Sequence, residues 1–406
     1  MRIYLNALGM ISPLGHSTAD ISRRLFAGDS GVHADAAHCD RNGLPLTVGR
    51  ITLADADLPA LDHLPLRERS RNNRLALAAL DQIRGAVDAA IARHGAHRVG
   101  VVLGTSTSGI AEGEAAFRHY VEHGLFPPQF HYGQQELGSP AAAIAATLGL
   151  GGPAYVHSSA CSSSAKAMAS AARLIRMNLC DAVICGGVDS LCDFTIAGFS
   201  ALESVSATRC NPLSINRCGI NIGEGAALFL MSAAPATASS VALLGWGESS
   251  DAHHISAPDP QGGGAMLAIR QALQRAETAA HEIDYINLHG TATLQNDAME
   301  SAVIHQLFGA QVPVSSTKPF TGHTLGAASA IEAGLCWLCM QDENRAGLLP
   351  PHLWDGQADP ALPPLNLTGV GSALGHPPRR VLSNSFAFGG SNAVLVFGRD
   401  IEGVAA

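Results

Sequence analysis

Aromatic residues are scarce in this 406-residue chain, at 5%, and charged residues make up only 15% of it. Lys and Arg number 25 against 34 Asp and Glu, a formal net charge of −9. The basic footprint of a nucleic-acid-binding protein is missing, so any positive docking patch must be local. No apolar run reaches membrane-spanning length, and no membrane insertion is expected. The opening stretch MRIYLNALGMISPLG lacks the charged and apolar regions of a secretory signal. Nine cysteines, an odd number, follow no spacing framework, and several sit in apolar stretches such as Leu179 to Cys185. That excludes a disulfide scaffold and points to a reducing, cytoplasmic setting. Glycine and proline, 43 and 21 residues, show no collagen-like period and suit an α/β enzyme with many tight turns. At 47% hydrophobic residues the chain has material for a large core and is not disordered.

Internal repetition organises the sequence. Leu80, Ile83, Val87 and Ile91 recur at helical spacing ahead of the apolar run Val99 to Leu103 and the polar loop Gly104 to Gly109. The second half repeats this order: Ile269, Leu273 and Ala276 on a helix, a strand from Ile283 to Leu288, then the loop His289 to Thr293. The alanine-rich segment Cys161 to Met177 precedes strands at Ala182 to Cys185 and Ala226 to Met231. Its counterpart, Thr324 to Met340, precedes strands at Arg380 to Ser383 and Ala393 to Phe397. Continuous apolar strands between helices indicate sheets buried on both faces. The expectation is an α/β chain of two similar halves, residues 1–240 and 241–406, joined through Ala234 to Ser240. Residues 342–379, rich in Pro and Gly, are expected to form an irregular surface excursion.

Cys161 stands in Ser158-Ser-Ala-Cys-Ser-Ser-Ser-Ala-Lys166, at the head of a helix of small residues that can dock closely. The positive end of such a helix is expected to lower a thiol's pKa from about 8.5 toward neutrality, which makes Cys161 a nucleophile candidate. The other eight cysteines read as core residues. Cys336 and Cys339 have no second pair, so no zinc site is expected. His289 and His323 lie in Gly-rich loops after strand-like segments, where reacting groups collect in open α/β sheets. Lys318, five residues before His323, is placed to orient it or tune its charge. Ser383 to Asn392 reads as a flexible turn between strands; a plain hairpin turn is its default meaning, but its backbone donors can supply an oxyanion-hole amide.

Taken in order, these motifs resemble the beta-ketoacyl-ACP synthases, the decarboxylating condensing enzymes of the thiolase superfamily. The resemblance runs from Gly9-Met-Ile-Ser-Pro-Leu-Gly15 through Arg217, Gly223-Glu-Gly225 and Ser250-Asp-Ala-His-His254 to Gly389-Gly-Ser-Asn392. It implies a thiolase-like fold with a layered α-β-α-β-α core, the nucleophile in the first half and both catalytic histidines in the second. Cys161 would accept an acyl group from the phosphopantetheine arm of an acyl carrier protein. His289 and His323 would hydrogen-bond the malonyl thioester oxygen as carbon dioxide leaves, and the carbanion would attack the Cys161 thioester to give a 3-oxoacyl-ACP. Backbone N–H groups of Cys161 and Phe388 would form the oxyanion hole, with Phe388 also gating the acyl pocket. Lys318 and Glu332 match the charged support of the second histidine, and Phe386, Gly389, Thr291 and Thr293 match substrate-binding positions. No metal or cofactor is implied, since the prosthetic arm belongs to the substrate. Arg67, Arg69, Arg71, Arg74 and Arg209 match the arginines that dock the acidic carrier protein.

The family commonly has Gly-Asp where this chain has Asn296-Asp297, and Gly or Ser where it has Ala292. The pattern His289-Gly-Thr-Ala-Thr-Leu-Gln-Asn-Asp297 resembles the synthases of aryl polyene pathways, whose catalytic subunit pairs with a non-catalytic chain-length-factor homologue. A homodimer or such a heterodimer is therefore expected. General fatty-acid and type II polyketide ketosynthases are the neighbouring alternatives. A thiolase would need a second catalytic cysteine near the C-terminus, and none lies after Cys339. A chain-length factor would lack the nucleophile, and a cysteine hydrolase would leave one histidine and Lys318 without a task.

Overall fold

The computed structural model describes residues 1–39 and 43–399. The first half contains β1 (Ile3–Ile11), a hairpin of β2 (His33–Cys39) and β3 (Pro45–Val48), then β4 (Val99–Gly104), β5 (Ala154–His157), β6 (Ala182–Asp189) and β7 (Gly225–Ser232). The second contains β8 (Val241–Ser250), β9 (Tyr285–Leu288), β10 (Pro313–Ser316), β11 (Asn366–Leu367), β12 (Arg380–Ala387) and β13 (Ser391–Gly398). Helices α1 (Thr18–Ala27), α2 (Arg71–His94), α3 (Ile110–His123), α4 (Ser139–Leu148), α5 (Ser163–Arg176) and α6 (Asp193–Ala201) belong to the first half. Helices α7 (Gly263–Ala276), α8 (Leu294–Phe308), the single turn α9 (Lys318–Thr321) and α10 (Ala328–Cys339) belong to the second.

The strand pairing shows the repeat. In the first unit β1 runs antiparallel to β7, β7 antiparallel to β6, and β6 and β5 flank β4 in parallel. In the second unit β8, β13, β12, β9 and β10 follow the same order and directions. The units join edge to edge where β1 meets β8, with Tyr4 opposite Ala242. Helices α2 and α4 cover the outer face of the first unit, and α7 and α8 that of the second. Helices α5 and α10 pack against each other between the units, in a core that draws Phe229 from one and Tyr285 and Phe397 from the other. The result is the expected α-β-α-β-α layering.

Small residues make the central layer possible. A Cβ on Gly104 would lie 2.3 Å from the Ser164 backbone nitrogen, and one on Gly187 would meet Ser164 Cβ at 2.7 Å. Only glycine at both strand positions lets the start of α5 rest on the sheet backbone.

Two expectations are corrected. The presumed flexible turn over Ser383 to Asn392 is mostly strand: eight-residue pairing of β12 with β13 leaves only Phe388–Gly390 as the turn. The excursion over residues 342–379 is not merely superficial, because Leu349, His352 and Thr368 are buried and His352 Nδ1 accepts from the Ser316 N–H at 3.1 Å. Pro and Gly forbid long regular elements there, but buried polar groups still find partners.

Candidate active site

The nucleophile candidate sits on a strained turn. Ala160, a non-glycine residue, has φ +50°, a left-handed conformation that costs of the order of 1 kcal/mol. The serines around it hold the turn: Ser163 Oγ accepts from the Ser159 N–H at 2.8 Å and donates to the Ala160 carbonyl at 2.6 Å. Cys161 therefore stands just outside α5, ahead of its N-cap Ser162. The two central helices interlock beneath it, as Ser329 Oγ donates to the Cys161 carbonyl at 2.8 Å and Ser164 Oγ accepts from the Ala330 N–H at 2.9 Å.

His323 and His289 converge on this cysteine from the other half. His323 Nε2 is 3.0 Å from Cys161 Sγ, and the two imidazole rings stand edge to face with centroids 5.6 Å apart. Leu325 donates its backbone N–H to His323 Nδ1 at 3.0 Å. Lys318 Nζ lies 3.3 Å from His289 Nδ1, and an ammonium can only donate. Both Nδ1 atoms are thus acceptors, so each neutral ring carries its proton on Nε2. Burial first, and the Lys318 charge second, hold both histidines well below their usual pKa. The site therefore presents two neutral imidazoles as hydrogen-bond donors.

Lys318 is 2% exposed and pairs with buried Glu332 at 2.5 Å while also donating to the His289 carbonyl. Burial pushes Glu332 up to about 7 against the pull of Lys318. The lysine–glutamate pair was expected behind the second histidine; its hydrogen bonds go to His289 instead, and it reaches His323 only through its charge.

The thiol itself departs from expectation. Cys161 is 6% exposed, and burial pushes it up to about 11, not toward neutrality. Lys318 and the backbone N–H groups of Phe388 and Cys161 oppose that rise without reversing it. Desolvation outweighs the helix end because the thiol lies inside the protein and not on its surface. Those same two amides are where an oxyanion hole is needed.

Thr291, Thr293, Phe386 and Phe388 line a cavity of about 50 Å³ with Cys161 and both histidines. That is far below the roughly 300 Å³ of even a modest ligand pocket. Phe388 and Phe199 both line the cavity, with ring centroids 5.6 Å apart. Gly389 lies beside the cavity and its N–H donates to the Ile255 carbonyl at 2.8 Å. Asn296 also lines the cavity; its amide donates toward Asp297 and Glu300, while its oxygen has no partner.

Sequence reasoning missed two buried carboxylates that shape the site. Glu300 accepts the His289 and Gly290 N–H groups at 2.8 and 2.7 Å. Asp189 accepts from Thr105, Ser106 and Thr107 in one half and from the Ala327 N–H in the other. Asp189 had a weak signal, an acid closing the apolar strand β6; Glu300 had none, since α8 carries Gln295, Asn296, Asp297 and Ser301 as well.

The arginines divide. Arg67 is 63% exposed at its side chain and Arg69 38%, the latter anchored to the Leu64 and Asp62 carbonyls. Arg71 is committed to Glu224, at 2.8 Å, and Asp55, while Arg74 holds the Leu58 and Pro59 carbonyls. Arg209 is half-buried in the loop between α6 and β7.

Cys161, His289 and His323 offer ligand atoms within 4.8 Å of one another, a donor set zinc could accept. The tautomers oppose it: a metal on Nε2 would move each proton to Nδ1, against the Leu325 N–H and the Lys318 ammonium.

Comparison with known proteins finds matches along nearly the whole chain. Residues 1–236 match the beta-ketoacyl synthase N-terminal domain and residues 241–353 its C-terminal domain. The chain is 31% identical to nodulation protein E of Rhizobium leguminosarum bv. trifolii, over 98% of both chains. It is 28% identical to 3-oxoacyl-[acyl-carrier-protein] synthase 2 of Staphylococcus aureus (strain MRSA252), again over 98% of both. Among solved structures it resembles the ketosynthase ApeO, in complex with its chain length factor ApeC, from Xenorhabdus doucetiae: TM-score 0.90, 46% identity, 98% of both chains.

Proposed function

The chain belongs to the beta-ketoacyl synthase family, and on that premise we propose that it is an aryl-polyene-type ketosynthase that elongates a carrier-bound acyl chain by decarboxylative condensation on Cys161. The observation that carries the residue roles is the pairing of Cys161 Sγ with His323 Nε2 at 3.0 Å, beside a second imidazole in the same tautomer.

The thiolate of Cys161, held by the Nε2–H of His323, attacks the acyl-carrier thioester; the carrier thiol leaves with the displaced proton. The Cys161 and Phe388 amides stabilise the tetrahedral oxyanion. A malonyl-carrier thioester then places its carbonyl oxygen at the two Nε2–H groups. The electrons of the bond to the carboxylate pass into the enolate as carbon dioxide leaves, and neutral donors suit this step because the developing charge is negative. The enolate carbon attacks the Cys161 thioester, the thiolate departs, and the product is a 3-oxoacyl carrier two carbons longer. Each step uses groups of this chain and two thioesters, so this reading calls for no cofactor. No helix among the described residues is long and apolar enough to cross a membrane.

The partner in this reading is a chain-length-factor homologue, with an acyl carrier protein as the substrate's bearer. Support comes from the solved ketosynthase–chain length factor complex and from the surface of this chain. Among the described residues strand β5 is the outer edge of the first unit, and Phe117, Phe126, Tyr132 and Phe194 lie exposed at one aromatic groove. In a chain so poor in aromatics, that concentration marks a surface another subunit covers.

The test is intact-protein mass after mixing wild type or Cys161→Ala, with and without the candidate partner, with acyl carrier protein, then chasing with malonyl carrier. An adduct on wild type alone, discharged as 3-oxoacyl carrier, is expected. No adduct with the partner present refutes the assignment.

A further inference from the structure

The turn that carries the oxyanion amide has little internal support. Gly389 and Gly390 both have positive φ, +77° and +72°, and a Cβ on Gly389 would meet nothing within 4 Å. Such a turn takes its geometry from its flanks. On one side the Gly389 N–H donates to the Ile255 carbonyl at 2.8 Å and the Asp251 N–H to the Gly390 carbonyl at 2.9 Å. On the other side Ser391 Oγ accepts from Lys166 Nζ at 2.6 Å and from Ser162 Oγ at 3.1 Å.

Those partners are adjacent to the nucleophile. Ser162 directly follows Cys161, and Lys166 lies one helical turn further along α5. Burial holds the Lys166 ammonium below the usual lysine range, with the Glu248 charge opposing that fall and Arg173 adding to it, and its hydrogen bond goes to the Ser391 hydroxyl. A half-buried ammonium loses hydration, and a charge-assisted bond to a hydroxyl offsets part of that loss. A charge-assisted bond fixes its acceptor more tightly, and the acceptor here begins β13, two residues after the Phe388–Gly389 peptide.

We propose that Lys166, acting through Ser391, is a positioning residue that holds the Phe388 amide against Cys161 and so sets the shape of the oxyanion hole. It touches no reacting atom. Losing the tether lets the glycine turn swing and carries the Phe388 N–H off the sulfur. The proposal rests on the reading of Cys161 as nucleophile, but its first test needs neither carrier nor acyl substrate.

That test is the rate of iodoacetamide alkylation of Cys161 at pH 9, followed by peptide mass mapping, with exposed Cys218 as internal reference for folding. Below the thiol's pKa the rate follows the thiolate fraction, so loss of one amide donor slows it about tenfold. Lys166→Met and Ser391→Ala are both expected to slow alkylation of Cys161 by that factor with Cys218 unchanged, and Ser391→Thr, which keeps the hydroxyl, to stay within about twofold of wild type. Slowing in Lys166→Met but not in Ser391→Ala would mean a through-space charge effect and overturn the proposal, as would wild-type rates in both. With partner and carriers present, the same two variants should lose about tenfold in kcat for acyl transfer at unchanged KM, while malonyl-carrier decarboxylation, which uses the histidines, persists. Equal loss in both reactions overturns it too. A wild-type enzyme that forms no acyl adduct defeats the condensing assignment instead, and the alkylation rates still decide the role of Lys166.

Discussion

Leu325 donates its backbone N–H to His323 Nδ1 at 3.0 Å, and that bond decides what the ring offers Cys161 3.0 Å away on its other side. With Nδ1 accepting, the one proton of the neutral ring is on Nε2, pointing at sulfur. A cysteine hydrolase needs the opposite: an Nδ1–H given to an orienting acid or amide and a bare Nε2 as base. The structure keeps the donor tautomer at some strain, since Leu325, a non-glycine residue, has φ +51°. The donor tautomer suits the proposed roles, stabilising negative charge on sulfur and on a carbonyl oxygen, and not the removal of a proton from water.

Stability should fall in mild acid because of these two rings. Burial and then Lys318 lower both folded-state pKa values below the unfolded value near 6.5. Below that pH the unfolded chain binds more protons, so the stability is present above about pH 6.5 and is lost as pH falls, by up to about 1.4 kcal/mol per pH unit for each histidine. Urea unfolding at pH 7.5, 6.0 and 5.0 measures it. A flatter profile is expected in His289→Asn/His323→Asn, and an identical one would contradict the assignment.

Lys318 should matter through charge as well as position. Lys318→Met leaves Glu332, already near 7, to protonate, and it removes a positive charge that keeps both histidines neutral. The expected outcome is a fall in kcat of the order of 100-fold. The acid limb of the pH–rate profile should also move upward, since the histidines then protonate at higher pH. An unmoved limb in the variant would make Lys318 a structural residue only.

The repeat and the site were legible to different degrees. The apolar runs at Val99 and Ile283, each behind a helical period, pointed to two matching units; the first is β4, and the second becomes strand only from Tyr285, because Ile283 ends a short turn. The Ser158 to Lys166 segment pointed to Cys161 as a nucleophile candidate, and its serines do more than make room: Ser163 shapes the turn before Cys161 and Ser164 binds α10. The thiol's pKa was not legible, because local sequence shows the helix end and hides the burial that overrides it. Nor were Glu300 and Asp189, whose partners lie on other loops. Such a carboxylate is recognised by the N–H groups around it, and those become neighbours only when the sheet closes.

Asp189 joins the halves at the site, so its removal should cost both stability and geometry. Its Oδ1 gathers four donors from Thr105, Ser106 and Thr107, and its Oδ2 takes the Ala327 N–H at 3.0 Å, just after His323. Asp189→Ala strands buried amides and should lower unfolding free energy by about 3 kcal/mol or more. Asp189→Asn keeps one acceptor oxygen and should lose less. Denaturant unfolding of the two variants gives the comparison, and equal losses would count against the hydrogen-bond account.

The proposal that the arginine segment docks the carrier makes a prediction that separates its members. Arg67, 63% exposed and paired only with its neighbour Glu68, is the member best placed to meet an acidic partner; Arg69 is anchored to the Leu64 and Asp62 carbonyls, and Arg71, 19% exposed, pairs with fully buried Glu224 and with exposed Asp55. Glu224 also accepts the Ile51 and Leu191 N–H groups, so it cannot move to follow a changed neighbour. Arg67→Glu should therefore raise the KM for carrier several-fold, with the effect shrinking as salt rises, while leaving Cys161 alkylation and unfolding unchanged. Arg71→Glu should instead place two buried carboxylates together and cost about 3 kcal/mol or more of stability. Carrier kinetics at 50 and 300 mM salt beside unfolding curves test both, and a salt-independent defect in Arg67→Glu would remove that residue from the docking surface.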